Sequence, residues 1–456
     1  MARSDYGLTS IIRTLPPGKV RGTVSAVGTL EAEVKGLSVP VGAHCVVYTA
    51  RGTRPAEVVA LRGRKAVITP YGEAGAAPTE GLSIGDEVEW VSSRQAVPVG
   101  WGLLGRVVDA FGKPLDGKGP VVALEQVPLY RNAPSALSRQ CITRKCVTGI
   151  RSVDALFTVG CGQRMGVFSG SGVGKSIFLG MVARHTTAPV RVVALVGERG
   201  REVREFIERD LGEEGLSRSV VIVATGEEPP LRRIRAAFTA MSIAEYFRDS
   251  GLDVMFLMDS LTRIALAQRE IGLAAGEPPT TRGYTPSVFN LLPRLLERAG
   301  AAEKGTITGF FAVLVEGDDL SEPISDAARS ILDGHIALSR RMAGKGIYPA
   351  VDVLNSISRS MPSVIEAEHL RASNMFRRLW GTFTEVEDLV NIGAYVKGAK
   401  AEADTAIELM PKMIAFIEQK VSEGIPFDNA LRSLLDLRDA AEGGGRPAKS
   451  KEVRRL

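Results

Sequence analysis

Lys175 and Ser176 close the run Ser169-Gly-Ser-Gly-Val-Gly174 and stand directly before the apolar Ile177-Phe-Leu179. An ammonium and a hydroxyl behind three glycines suit the binding of polyphosphate. Glycines at 170, 172 and 174 permit positive φ, so N–H groups from Gly170, Ser171, Gly172, Val173 and Gly174 can curl round an anion. A helix opening at Lys175 adds its positive end. The lysine supplies a full charge for the outer phosphates, and the Ser176 hydroxyl suits Mg²⁺. The reading is a buried strand at Gly166–Phe168, a phosphate-binding loop for a nucleoside triphosphate, and a helix. Ser169 departs from the usual pattern, which carries glycine there; a small residue leaves the turn feasible.

Two carboxylates complete the chemistry. Val254-Met-Phe-Leu-Met-Asp259 is an apolar strand ending in an acid. Open α/β sheets bind ligands at the carboxyl ends of their strands, so Asp259 is expected beside the loop, holding a water of the Mg²⁺ shell. The strand Val190–Val196 runs into Gly197-Glu-Arg-Gly-Arg-Glu202. That places Glu198 on the same edge, able to orient water against a γ-phosphate, with a positive group needed to balance transition-state charge.

The elements that must position these groups follow from the pattern. Five short β-rich runs (Gly22–Val27, His44–Tyr48, Glu57–Leu61, Lys65–Thr69 and Glu87–Trp90) alternate with glycine turns, as in a small barrel. Between the leader and Ser92 there is no Phe and only Tyr48, Tyr71 and Trp90, which favours a structural barrel over an oligonucleotide-binding one. Strands then alternate with helical patterns to about residue 360, calling for a mainly parallel α/β sheet covered on both faces. Ile407, Met410, Ile414, Ile417 and Val421 mark one face of a C-terminal helix, with Pro411 kinking it or starting a second. The expected division is a leader at 1–18, a β-barrel domain at 19–95, a nucleotide-binding domain at 96–360, a helical domain at 361–442 and a basic flexible tail at 443–456.

Composition excludes several classes. With 45% hydrophobic and 24% charged residues the chain suits a soluble globular protein. Its apolar runs, such as Phe310–Val315, fall far short of the ~18 residues of a membrane span, and no signal-peptide core follows Met1; a cytoplasmic protein is expected. Cysteines 45, 141, 146 and 161 have no metal or redox spacing and read as reduced thiols. A net charge of +5 permits acidic partners without requiring them.

Six further motifs go together: Gly197-Glu-Arg-Gly-Arg-Glu-Val203, Asp259-Ser-Leu-Thr-Arg263, Gly276-Glu-Pro-Pro-Thr-Thr-Arg-Gly-Tyr-Thr-Pro-Ser287, Val315-Glu-Gly-Asp-Asp-Leu320, Ile331-Leu-Asp-Gly-His335 and Gly346-Ile-Tyr-Pro-Ala350. In this order, over residues 19–440, they resemble the bacterial flagellar export ATPase and its type III secretion relatives, which are related to the catalytic subunit of rotary ATP synthases. The resemblance implies a RecA-like central domain hydrolysing ATP with Mg²⁺. It implies that Tyr348 stacks on adenine, that Arg199 and Arg263 lie near the γ-phosphate, and that Arg359 is an arginine finger for the neighbouring subunit's nucleotide. Taken alone, Tyr348 reads as a core aromatic and Arg359 as a surface salt-bridge partner. The family further implies a homohexamer at the cytoplasmic face of a membrane export apparatus. Expected partners are export-gate proteins, stator-like regulators and chaperone–substrate complexes, without specific nucleic acid. Virulence-type rather than flagellar secretion, a rotary synthase subunit, an RNA translocase and a non-catalytic nucleotide-binding subunit are the alternatives. The leader is short for regulator binding, and the basic tail has no family role.

Overall fold

The computed structural model describes residues 19–315 and 321–443. The leader, the basic tail after Gly443 and the Glu316–Leu320 part of one motif lie outside the described residues.

Six antiparallel strands close into a barrel: β1 (Arg21–Val27), β2 (Ala32–Lys35), β3 (His44–Thr49), β4 (Gly52–Arg62), β5 (Lys65–Pro70) and β6 (Glu87–Ser92), in the order β1-β2-β5-β4-β3-β6. Alternation drives closure: Cys45 and Val47 of β3 point inward while their neighbours face outward. Val24, Val34, Val58 and Val88 complete the apolar centre. The sequence pattern marked five of these strands and missed β2. Its four residues Ala-Glu-Val-Lys alternate too briefly to stand out, and pairing with both β1 and β5 holds them in place.

A nine-stranded sheet forms the centre of the chain. Its path uses β7 (Arg106–Val108), β8 (Arg164–Ser169), β9 (Val190–Val196), β10 (Ser219–Ala224), β11 (Asp253–Asp259), β12 (Thr306–Leu314), β13 (Gly334–Leu338) and β14 (Ile357–Ser358). The order is β14-β13-β8-β12-β11-β9-β10-β7, with Gly300–Ala301 pairing beside β12. Every pair from β13 to β7 is parallel. All seven residues of β9 are buried, as a strand covered on both faces requires. Val193 and Leu195 enter one core layer, and Val192, Ala194 and Val196 the other. At about 1.5–3 kcal/mol per buried aliphatic side chain, these strands anchor the sheet whose ends carry the site.

Four helices matter to the site: α1 (Lys175–His185), α2 (Gly200–Glu205), α3 (Pro230–Asp249) and α4 (Leu261–Ala274). The C-terminal region is helical: α5 (Ala367–Asn391), α6 (Ala401–Ile417) and α7 (Phe427–Gly443). Pro411 neither ends α6 nor starts another helix. It is solvent-exposed, so the carbonyl it leaves unpaired can be hydrated. The buried face of α6 centres on Ala403, Ala406, Met410, Met413 and Ile417. Ile407 and Ile414 are half-buried, and Val421 lies beyond the helix, packed against the same core.

Candidate active site

The site grows from the carboxyl ends of β8, β9 and β11. Strand β8 ends at Ser169, which pairs in register with Leu314 and Leu338. The loop then turns through positive φ at Gly172 (77°) and Gly174 (100°), and α1 begins at Lys175. Ser169 still has strand geometry, so the position needs no left-handed backbone. That is why serine is tolerated where the motif usually has glycine.

Lys175 is 8% exposed. Its ammonium contacts the Asp259 carboxylate and lies 3.5 Å from Glu198 Oε1. The Ser176 hydroxyl donates to Asp259 Oδ2 at 3.2 Å. Strand β9 runs beside β11, with Leu195 opposite Asp259, and this register brings Glu198 against the loop. Between them Gly197 takes φ 79°, and a Cβ there would stand 2.6 Å from the Cβ of Arg263. Glycine therefore lets the first turn of α4 pack beneath the Glu198 peptide.

Among the described residues Glu198 Oε1 is buried and makes no hydrogen bond, with the Lys175 ammonium 3.5 Å away. Burial, reinforced by the charge of Asp259, pushes the Glu198 carboxyl up to about 7, against the pull of Lys175 and Arg263. A buried carboxylate with an affinity for protons near neutrality suits the orientation and polarisation of water. Arg263 is half-buried, its Nε without a partner among the described residues, and close enough to act on that carboxylate.

The remaining expected residues divide. Tyr348 is 42% exposed, and a Cβ added at Gly174 would stand 3.6 Å from its ring, so it borders the phosphate loop. Arg199 opens α2 with its side chain 78% exposed, 3.5 Å from Glu202, and takes no part in the Lys175 cluster. Arg359 follows β14. Its N–H bonds to Asp333 just before β13, and Ser358 pairs with Gly334 at the start of that strand. The phosphate loop lies at the other end, beside Leu338. The two ends of β13 are on the order of 13 Å apart. Arg359 is exposed, without a side-chain partner among the described residues, and lines a cavity of about 520 Å³ with Arg329 and Arg377.

Gln419 escaped the sequence reading. Its N–H donates to Tyr348 O at 2.9 Å, its side-chain amide bonds Gly149 O at 2.8 Å, and its Oε1 accepts from Arg151 N at 2.8 Å. The backbone of Gln419 thus joins the stretch after α6 to the Tyr348 segment, and its buried side-chain amide joins that stretch to the approach to β8. No local signal marks a glutamine 71 residues beyond the tyrosine it holds.

Residues 149–358 match the family model for the nucleotide-binding domain of the ATP synthase alpha/beta family. Residues 365–436 match that for the T3SS EscN ATPase C-terminal domain. The flagellum-specific ATP synthase of Bacillus subtilis is 52% identical over 420 residues, covering 91% of this chain and 94% of that protein. The chain belongs to the flagellar and type 3 secretion ATPases. The type 3 secretion system ATPase of Xanthomonas euvesicatoria is 47% identical over 433 residues, 94% of this chain and 97% of that one. The assembled ATPase EscN of the enteropathogenic E. coli type III secretion system superposes with a TM-score of 0.86 at 40% identity, covering 91% of this chain and 99% of that one. This export-type ATPase therefore has the barrel, parallel sheet and helical region of its relatives. Among its described residues no helix is long and apolar enough to cross a membrane.

Proposed function

We propose that this ATPase hydrolyses Mg-ATP to energise protein export, working as a homohexamer whose sites are completed across subunit boundaries. The convergence of Lys175, Ser176, Glu198 and Asp259 at three strand ends carries the reading. In it the loop N–H groups from Gly170 to Gly174 and the Lys175 ammonium hold the β- and γ-phosphates, and Tyr348 stacks on adenine. The donor set fits Mg²⁺: a serine hydroxyl beside a carboxylate, hard oxygens that leave room for phosphate oxygens and water. Ser176 and Asp259 would hold the ion, which supplies charge neutralisation on the bridging phosphate oxygens. Glu198 receives a hydrogen bond from the attacking water at its carboxylate and aligns it with the γ-phosphorus. Arg263 and Arg199 lie near the γ-phosphate, Arg199 after its exposed side chain swings inward. Arg359 of the neighbouring subunit balances charge in the transition state.

The division at residues 19–95, 96–360 and 361–442 is our assignment of the working parts. The export role draws support from relatives named for flagella and for type 3 secretion, and the ring from the assembled EscN and its complex with the stalk EscO. Peripheral placement at the cytoplasmic face, with export-gate, regulator and chaperone–substrate partners, follows from that role. Glu198→Gln tests the core of the proposal. The variant should bind Mg-ATP as the parent does and lose steady-state hydrolysis by about 10²-fold or more. Turnover near the parental rate would reassign water orientation to another residue.

A further inference from the structure

A second concave site lies where the barrel meets the nucleotide domain. Its cavity of about 400 Å³ takes walls from β3 and β4, the connection after β6, the turn Asp109–Lys113 and the first two turns of α3. Four cations face it, Arg94, Lys113, Arg232 and Arg235, against a single acid, Asp109. That acid is committed to its own turn, since its Oδ1 accepts the Phe111 and Lys113 N–H groups, both at 2.8 Å. Among the described residues Arg94, Lys113 and Arg235 make no ion pair, while Arg232 lies 3.4 Å from Glu228, outside the cavity wall.

Arg235 is the unusual member. It is only 6% exposed, yet the groups that hold it are neutral. Its guanidinium bonds Gln95 Oε1 and, at 3.3 Å, Ala96 O, and it lies 4.6 Å from the centre of the Phe111 ring. Gln95 and Tyr71 stand between it and the buried carboxylate of Glu57, which they bond at 2.7 and 2.9 Å. Burial raises the proton affinity of Glu57, against the opposing pull of Arg235 and of its hydrogen bonds. Among the described residues the Nε atoms of Arg235 and Arg232, and Nδ1 of His44, are buried without hydrogen-bond partners. Arg235 thus bonds directly only to neutral dipoles and a ring face, with the Glu57 carboxylate acting on it across Tyr71 and Gln95, and desolvation makes an incoming anion worth more. The positive end of the 20-residue helix α3 acts in the same direction. The volume lies within the range of small-molecule sites, where a macromolecular partner would need a broad surface.

We propose that this junction binds a small phosphate-bearing anion that bridges the barrel to α3. The bridge reaches the catalytic sheet, because α3 packs on β9, β10 and β11, the first and last of which deliver Glu198 and Asp259. This site is separate from the ATP site and does not depend on the hydrolytic assignment.

The test is calorimetry with inorganic pyrophosphate on the full-length Lys175→Ala protein, in which the phosphate loop has lost its charge. Binding at about one site per chain is expected, with a rise in Tm and a loss of affinity as salt is added. Adding Arg94→Gln and Lys113→Gln should weaken binding at least about tenfold and leave the unliganded Tm unchanged, since both side chains are exposed. A parallel arm with ribose 5-phosphate distinguishes a phosphate ester from the free inorganic anion as preferred ligand; either, if it depends on Arg94 and Lys113, supports the site. No binding to Lys175→Ala, or binding that the added substitutions do not change, overturns it. Neither result would alter ATP hydrolysis by the parent protein, so this failure is separable from that of the proposed function.

Discussion

Lys175 carries two loads that its substitution would separate. It is the full positive charge of the phosphate loop and also the partner of two buried carboxylates. Lys175→Ala should abolish binding of a fluorescent ATP analogue, because loop dipoles alone would face the phosphates beside the unneutralised Asp259. Near-normal affinity would refute the loop assignment. Glu198 makes a prediction in pH. Its carboxyl is pushed up to about 7, so below that pH the protonated form predominates and cannot polarise water. kcat/KM should climb about tenfold per pH unit on the acid side and level off above pH 8. A flat profile between pH 5.5 and 8 would show that the carboxylate is not the titrating group of the reaction.

At the scale of elements, one buried ion pair sets the seat of α3. Arg298 is fully buried, donates to both Glu245 oxygens at 3.0 and 2.6 Å, and also reaches Ser242 Oγ and Leu129 O. Removing Arg298 leaves the buried Glu245 with only the part-exposed Arg131, at 3.5 Å, as a counter-charge. Arg298→Ala should cost about 3–5 kcal/mol in urea unfolding, whereas the double change Arg298→Leu with Glu245→Leu should cost much less. Equal losses in the two proteins would contradict this account. Gln419 makes the corresponding link for the nucleotide. Gln419→Leu takes the side-chain amide away from Gly149 O and Arg151 N but keeps the backbone N–H bonded to Tyr348 O, so it acts on the Tyr348 segment by loosening the stretch that carries that N–H. KM for ATP should rise several-fold with kcat little changed, because Gln419 supports Tyr348, the proposed adenine contact, and is not part of the Lys175 cluster.

For the whole molecule, the position of Arg359 decides the argument. It lies at the opposite end of β13 from the loop of its own chain, exposed in a cavity it shares with Arg329 and Arg377. Activity per subunit should therefore rise with protein concentration as rings assemble. Arg359→Ala should bind ATP yet lose about 10³–10⁵ in turnover, since an arginine finger stabilises transition-state charge. Mixing it with Lys175→Ala should restore partial activity, because some interfaces then unite an intact loop with an intact arginine. Absence of rescue in rings shown to be mixed, together with concentration-independent activity in the parent, would falsify a site completed in trans.

The phosphate loop, Asp259 and Glu198 were legible in the sequence because their signals are local. Glycine spacing sets a turn, apolar runs set strands, and a residue directly after such a run lies at a strand end whichever way the sheet is ordered. The barrel and the parallel sheet were legible for the same reason, through periods of two and runs of buried β-branched residues. Tertiary structure alone decided what depends on register. Only strand order reveals that Arg359 and the loop occupy opposite ends of β13, that β2 completes the barrel, and that Arg199 points into solvent while Arg263 packs against Gly197. Gln419 and the cations around Phe111 belong to the same class. They lie far apart in the chain and close together in space, joined by burial and pairing in a folded chain, which no window along the sequence contains.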